Sequence, residues 1–214
     1  MMQSQIKSLH NIVTRKGSSK ILTFSIPHVF KALQMLSRQK YTSRQAFCKE
    51  IHIGEGAAKT LVLHLKQSDL ADSVRAGTFL TSKGIRFAQK FFDIIPSQCR
   101  VESCNIAREK YNHAILLKDY ASLVGNGMDQ RDYAILYGAK GATTLVFQNN
   151  RFVFPGETKD CLNDDPKTKK TLLDKLSPEE NDIVIIASSN DDPFIAEISA
   201  INSVLWTLAE HERN

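Results

Sequence analysis

Two short segments of the N-terminal half, residues 54–64 and 75–78, combine a basic residue with small and polar ones. The first reads Gly54-Glu-Gly-Ala-Ala-Lys-Thr60, and the second places Arg75 and Thr78 on either side of a glycine. Lysine and arginine neutralise phosphate oxygens, and lysine or threonine side chains can hydrogen-bond to the edges of bases. The chemistry that these segments indicate is the binding of a polyanion, without any covalent step.

Residues for catalysis do not assemble in the same way. The six histidines are far apart in the sequence, and no Cys, Ser or Asp accompanies them at a recognisable spacing. We therefore expect no catalytic residues, no enzymatic activity and no cofactor. The histidines are His10, His28, His52, His64, His113 and His211.

The cysteines do not indicate a metal site. Cys99 and Cys104 form the only close pair, whereas structural zinc sites usually have two close pairs of Cys or His. Cys48 and Cys161 are isolated. We expect four free, buried thiols and no bound metal.

The elements that position the basic residues are predicted from apolar spacing and capping residues. A helix starts near Pro27, a second is capped by Thr42 or Ser43 and runs through Ile51, and a third ends near Ser68. A hairpin with its tip at Arg75-Ala-Gly-Thr78 follows, and then a fourth helix capped by Thr81 or Ser82. The order of three helices, a two-stranded wing and a helix is that of a winged helix-turn-helix, which we predict for residues 24–95.

The third helix of this arrangement is predicted to read the major groove of duplex DNA. Its buried set is Ala58, Leu61, Val62 and Leu65, so the opposite face meets the groove. Small residues at its start allow a close approach to phosphates, while arginines on the second helix and in the wing hold the backbone, the wing arginine in a minor groove. The predicted DNA-binding residues are Arg44, Gly56, Ala57, Lys59, Thr60, His64, Arg75 and Thr78.

The distribution of charge divides the chain into two modules. Residues 1–95 hold 15 basic and 5 acidic residues, and residues 96–214 hold 13 basic and 18 acidic ones. A basic module joined to an acidic one is typical of a polyanion-binding domain with a separate partner domain. We predict a basic N-terminal arm at 1–23, either flexible or a short helix, and a boundary at Pro96-Ser97.

The second module, 96–214, mixes predicted strands and helices, so the fold class is α+β with a small mixed α/β C-terminal domain. A glycine-rich turn at Gly138-Ala-Lys-Gly-Ala142 lies between a predicted helix and a predicted strand, the reverse of a phosphate-binding P-loop. A tight turn explains it, but nearby side chains suggest a second hypothesis, a site for a small anion. Those residues are Arg131, Lys140, Thr143 and Thr144.

Several motifs resemble those of a known group of proteins. The first module resembles archaeal winged-helix proteins in Ile26-Pro-His-Val-Phe-Lys-Ala-Leu33, Ser43-Arg44, Gly54-Glu-Gly-Ala57 and Leu80-Thr-Ser-Lys-Gly84. In the second module, Gly127-Met-Asp-Gln-Arg-Asp-Tyr-Ala134, Gly141-Ala-Thr-Thr-Leu-Val146 and Phe154-Pro155 resemble the domain of unknown function DUF4443. The resemblance implies an archaeal transcriptional regulator. The sequence departs from the pattern of these proteins at Ser43 and at Asp69, where glycine is expected.

We therefore expect a cytoplasmic, homodimeric regulator that binds double-stranded DNA, with a second domain that senses a small-molecule effector or forms the dimer. No apolar run is long enough for a membrane span. Two alternatives stay open. One is a bifunctional enzyme with a regulatory winged helix, and the other is a protein-docking subunit of the transcription machinery.

Overall fold

The fold is mixed α+β, described here from a computed structural model for residues 2–14 and 22–211. These residues form eight α-helices and two antiparallel sheets. The chain divides into two compact units, residues 1–91 and 92–214, close to the boundary predicted at Pro96. None of the helices in the described residues is both long and apolar enough to cross a membrane.

The first unit contains five helices and a hairpin, in the order that the sequence predicts after residue 24. Helix α3 ends at Ile51 and α4 ends at Gln67, close to the predicted ends at Ile51 and Ser68. The elements are α1 (Met2–Val13), α2 (Ile26–Arg38), α3 (Arg44–Ile51), α4 (Glu55–Gln67), β1 (Ala71–Val74), β2 (Gly77–Leu80) and α5 (Ser82–Phe92).

Helix α1 occupies part of the predicted N-terminal arm. Ile6, Leu9 and Ile12 recur every third residue and are buried, whereas Lys7 between them is exposed. This spacing places the three apolar side chains on one face, which packs against α2 and α4. Of the two alternatives for the arm, the structure has the helix at Met2–Val13, while residues 15–21 lie outside the described part.

Side-chain caps begin two helices at their predicted positions. The Ser43 hydroxyl accepts a hydrogen bond from the Ala46 N–H at 3.1 Å, and the Thr81 hydroxyl accepts one from the Gly84 N–H at 3.0 Å. Each cap satisfies a backbone donor that the first helical turn leaves without a partner. The predicted starts of α3 and α5 are confirmed.

A third extended segment joins the hairpin. Strands β1 and β2 pair in register from Ala71 with Leu80 to Val74 with Gly77. The backbone of Thr42, just before α3, exchanges two hydrogen bonds with Thr78, at 2.8 and 2.9 Å. The hairpin is thereby attached to the start of α3.

The close approach of α5 to the start of the hairpin requires a glycine. A Cβ atom built on Gly84 would lie 1.9 Å from the Leu70 carbonyl oxygen. Beneath this contact, Phe30 and Phe91 meet edge to face with ring centroids 5.8 Å apart, and both side chains are fully buried. Gly84 therefore lets α5 bring Phe91 into the core of the first unit.

The second unit is a five-stranded antiparallel sheet in the order β3-β4-β7-β5-β6, with helices on both faces. Its central strand β7 is buried along its whole length, because neighbouring strands and both helical layers cover it. The elements are β3 (Gln98–Val101), β4 (Tyr111–Leu117), a 3₁₀ turn (Ala121–Leu123), α6 (Met128–Ile135), β5 (Gly141–Gln148), β6 (Arg151–Val153), α7 (Pro166–Leu176), β7 (Ile183–Ser189) and α8 (Pro193–His211).

Alternate residues of the strands face the two helical layers. Leu116, Leu145 and Val184 pack in one cluster with Leu172 and Leu176 of α7. Helices α6 and α8 cover the other face, where they also contact each other. The tight turn Asn149-Asn150 joins β5 and β6, and both residues have positive φ, as tight hairpins require.

Glycines 84 and 56 give a matched test of the close approach. Gly84→Ala should lower the free energy of unfolding by roughly 3 kcal/mol or more, because the methyl group would overlap a backbone oxygen. A Cβ atom at Gly56, in α4, would meet no atom within 4 Å, so Gly56→Ala should raise the free energy of unfolding by roughly 0.5–1 kcal/mol. Urea titrations of both variants measure the two changes, and equal effects would contradict the packing described.

Histidine 28 is held in its neutral form at the start of α2. The Ser25 N–H donates a hydrogen bond to Nδ1 of His28 at 3.2 Å, and a protonated Nδ1 cannot accept one. Burial lowers the pKa of His28 from 6.5 to about 4. Because this pKa lies below that of the unfolded chain, the unfolded state binds more protons at pH values between the two.

The stability that neutral His28 provides should be present above pH 6.5 and lost as the pH falls towards 4. His28→Gln keeps an acceptor at the third helical position but does not titrate. The wild-type free energy of unfolding should fall, relative to this variant, by on the order of 3 kcal/mol across that range. Urea denaturation at a series of pH values tests this, and parallel curves for the two proteins would refute it.

Candidate nucleic-acid interface

Helix α4 presents one face to solvent and the other to the core. Ala58, Leu61 and Leu65 are fully buried. The opposite face carries the exposed residues Gly56 and Lys59 near its beginning. The apolar spacing predicts this division except at Val62, which was expected to be buried and is half-buried. The first two turns of the helix are left open to a partner.

Three exposed cations come from α4, from the adjoining helix α3 and from the hairpin, and none has an acidic partner among the described residues. Arg44 is the first residue of α3, Lys59 lies on α4 and Arg75 lies at the tip of the hairpin. Within residues 2–14 and 22–211, no carboxylate forms an ion pair with any of the three. Their charges are therefore available to an anion that comes from outside the chain.

Other cations near the hairpin are already paired. The Lys66 ammonium lies 2.9 Å from the Asp72 carboxylate, and this hydrogen bond holds the pKa of Asp72 below its ordinary value. Lys83 lies 3.4 Å from Asp69, which partly offsets the negative charge that the sequence places there. Asp69 has a φ of 57°, a conformation that explains why glycine is expected at this position.

Thr60 and Ala57 lie at the border of the exposed face. Both are half-buried, and the Thr60 hydroxyl donates a hydrogen bond to the Gly56 carbonyl at 2.9 Å. The hydroxyl oxygen keeps a free acceptor site, so Thr60 can accept from a base but is a poor donor to one. Gly56 is exposed, and the space where a Cβ would lie is open.

His64 points away from this face. Its Nδ1 donates to the Ile12 carbonyl of α1 at 2.5 Å, and its ring meets the Phe24 ring edge to face at 5.9 Å. The side chain therefore joins α4 to α1. The predicted role in DNA contact does not fit this position.

Thr78 is also not exposed. It is buried, its backbone is paired with Thr42, and its hydroxyl lies 3.2 Å from that of Ser73. Of the eight predicted residues, Arg44, Gly56, Lys59 and Arg75 are exposed together, Ala57 and Thr60 border them, and His64 and Thr78 serve the fold.

Two exposed apolar residues near these cations are absent from the predicted set. Leu63 on α4 and Val74 next to the hairpin tip are each 51% exposed. Helical spacing placed Leu63 on the outward face, but its apolar character gave it no hydrogen-bonding role.

The four residues of the predicted anion site do not converge in the second unit. Thr143 and Thr144 are neighbours on β5 and therefore point to opposite faces of the sheet. The Thr143 hydroxyl donates to the Ile106 carbonyl at 2.7 Å, and Thr144 is buried. Arg131 lies 3.5 Å from Asp132, and Lys140 lies 3.8 Å from Asp191. No shared pocket for an anion results from this arrangement.

A polar seam between α6 and α8 went unnoticed in the sequence. The Gln130 amide donates to the Thr207 hydroxyl at 3.2 Å, and the Ser203 hydroxyl donates to the Gln130 carbonyl at 2.7 Å. The Asn202 amide donates to the Tyr133 carbonyl at 2.8 Å. Hydrogen bonds thus hold α6 against α8, where the sequence pattern favours apolar packing.

The described residues contain no group of three or more Cys, His, Asp or Glu side chains that could hold a metal ion. The four cysteines are free and half-buried. Burial raises the pKa of Cys99 to about 11 and also raises the pKa of Cys161, so both are thiols at neutral pH. A thiol in this state is a weak nucleophile.

Comparison with known proteins locates one domain. Residues 108–208 match a family described as Domain of unknown function (DUF4443), which confirms the resemblance found in the second module. A solved structure, hypothetical protein PH0730 from the archaeon Pyrococcus horikoshii OT3, is similar with 27% identity and a TM-score of 0.68. The similarity covers 89% of this chain and 96% of that one. No curated protein shows significant similarity.

Proposed function

We propose that the protein is a DNA-binding transcriptional regulator whose first unit is a winged helix-turn-helix. In this proposal α4 is the recognition helix and lies in the major groove of duplex DNA. The β1–β2 hairpin is the wing, and its tip lies on the neighbouring sugar–phosphate backbone. The protein performs no catalytic step.

The observation that carries the proposal is the set of three unpaired cations, Arg44, Lys59 and Arg75. They come from three different elements, α3, α4 and the hairpin, which the fold attaches to one another. Exposed charges at separated points on connected elements suit a ligand that presents regularly spaced anions. Phosphates of a duplex on either side of a groove fit this requirement.

The beginning of α4 supports the same orientation. Gly54 precedes the helix and Gly56 is exposed, so no side chain at these positions blocks access to the first N–H groups. Helix N-termini attract phosphates through these donors and through the helix dipole. An α-helix also fits the width of the major groove, which presents a distinct pattern for each base pair.

The second unit is assigned to sensing a small-molecule effector or to forming a homodimer. Among the described residues, Met128, Ile135 and Leu136 of the α6 region are large apolar side chains that are 48%, 38% and 71% exposed. Exposed apolar groups near one another favour an assembly role. A homodimer would present two recognition helices to a pseudo-palindromic site in the cytoplasm.

DNA binding by the full-length chain tests this proposal. Affinity for duplex DNA should fall steeply as salt is added, and each phosphate contact contributes about 0.9 to the slope of log affinity against log salt. Lys59→Ala or Arg75→Ala should each reduce the slope by about one if the side chain meets a phosphate. If the side chain reads a base edge, the variant should lose roughly 1–3 kcal/mol on the preferred sequence only.

Matched controls separate these contacts from general charge. Lys7→Ala on α1 and Arg86→Ala on α5 remove exposed cations elsewhere in the first unit and should change affinity much less. Fluorescence anisotropy titrations at several salt concentrations measure the wild type, the four single variants and the double variant. Unchanged binding by the Lys59→Ala/Arg75→Ala double variant would remove the recognition-helix assignment.

A further inference from the structure

The exposed face of α4 has an apolar residue at its centre. With 3.6 residues per turn, Leu63 lies one turn after Lys59 and about one turn before Gln67, all on one face. Leu63 is 51% exposed. The same helix fills the core with Ala58, Leu61 and Leu65, so Leu63 adds nothing to that packing.

Exposure alone carries no argument, because single exposed apolar residues are common on protein surfaces. The location of Leu63 is what distinguishes it. It follows the unpaired Lys59 along the helix, on the face that the proposed function places in the major groove. In a bound complex this side chain would be buried against the DNA and shielded from water.

The chemistry of the groove then selects one base. Leucine has no donor or acceptor, so burying a polar base edge against it would leave that edge without a hydrogen bond. Among the four bases, only thymine presents a methyl group in the major groove. An apolar side chain gains contact area from that methyl and has no comparable partner on the other bases.

We infer that Leu63 is a specificity-determining residue that contacts the C5 methyl group of a thymine, an inference that rests on the proposed function. The preferred site of the protein therefore contains a thymine opposite the middle of α4. The neighbouring cation Lys59 supplies affinity, and Leu63 supplies discrimination at this position.

Replacement of thymine by deoxyuridine tests the inference, because uracil lacks only the methyl group. A preferred duplex is first enriched from a pool of randomised double-stranded DNA with the full-length protein. Each thymine is then replaced singly, and affinity is measured. One replacement should weaken wild-type binding about fourfold, the effect expected for one buried methyl group.

Leu63→Ala should bind the thymine and uracil duplexes with equal affinity at that position. Leu123→Ala, which removes an exposed leucine from the 3₁₀ turn of the second unit, should keep the wild-type discrimination. Thr60→Ser removes a methyl group at the border of the same face while keeping the hydroxyl, and it should also keep the discrimination. Thermal unfolding of each variant verifies that the fold is intact.

The outcomes distinguish a failure of this inference from a failure of the proposed function on which it rests. If no sequence is enriched and the protein binds no duplex, both the proposed function and the role of Leu63 are overturned. Specific binding in which no thymine replacement has an effect, or in which Leu63→Ala still discriminates, would overturn only the role of Leu63. Loss of discrimination in Thr60→Ser alone would assign the methyl contact to Thr60 instead.

Discussion

The backbone of Leu70 is the junction on which the arrangement of the first unit depends. Its N–H donates to the Leu65 carbonyl at the end of α4, and its carbonyl accepts from the Thr81 N–H before α5. Gly84 packs directly over the same carbonyl. Three elements, α4, β1 and α5, are therefore fixed relative to one another by the backbone of one residue, and a side chain at position 84 would separate them.

This junction determines where the cations of the first unit lie. It sets the direction of the hairpin that leaves α4, and the exchange of hydrogen bonds between Thr42 and Thr78 attaches the hairpin to the start of α3. Arg44, Lys59 and Arg75 thus project from elements with little freedom to rearrange. Binding to a rigid polyanion therefore requires no rearrangement of these backbone elements, and the conformational entropy lost is that of the side chains themselves.

Local signals predicted most of the elements, and long-range contacts account for the errors. Ser43 and Thr81 cap the helices expected of them because capping depends on neighbours three residues away. The sequence could not show that His64 would meet Ile12, because that contact depends on where α1 packs. Thr78 was assigned to the interface for its place beside the hairpin tip, but its pairing with Thr42 spans 36 residues and buries it. The wrong prediction for Thr143 and Thr144 has a different cause. Successive residues of a strand face opposite sides of the sheet, so the sequence alone already excludes a shared site for these two neighbours.

Chemical-shift mapping of the full-length chain with a bound duplex tests the central claim most directly. Amide spectra of ¹⁵N-labelled protein recorded during titration report which backbone groups meet the DNA. We expect the largest changes at residues 54–63, at Arg44 and at the hairpin tip around Arg75. Changes centred on residues 108–208, or on the α1 surface around Lys7, would contradict the placement of the interface on α4.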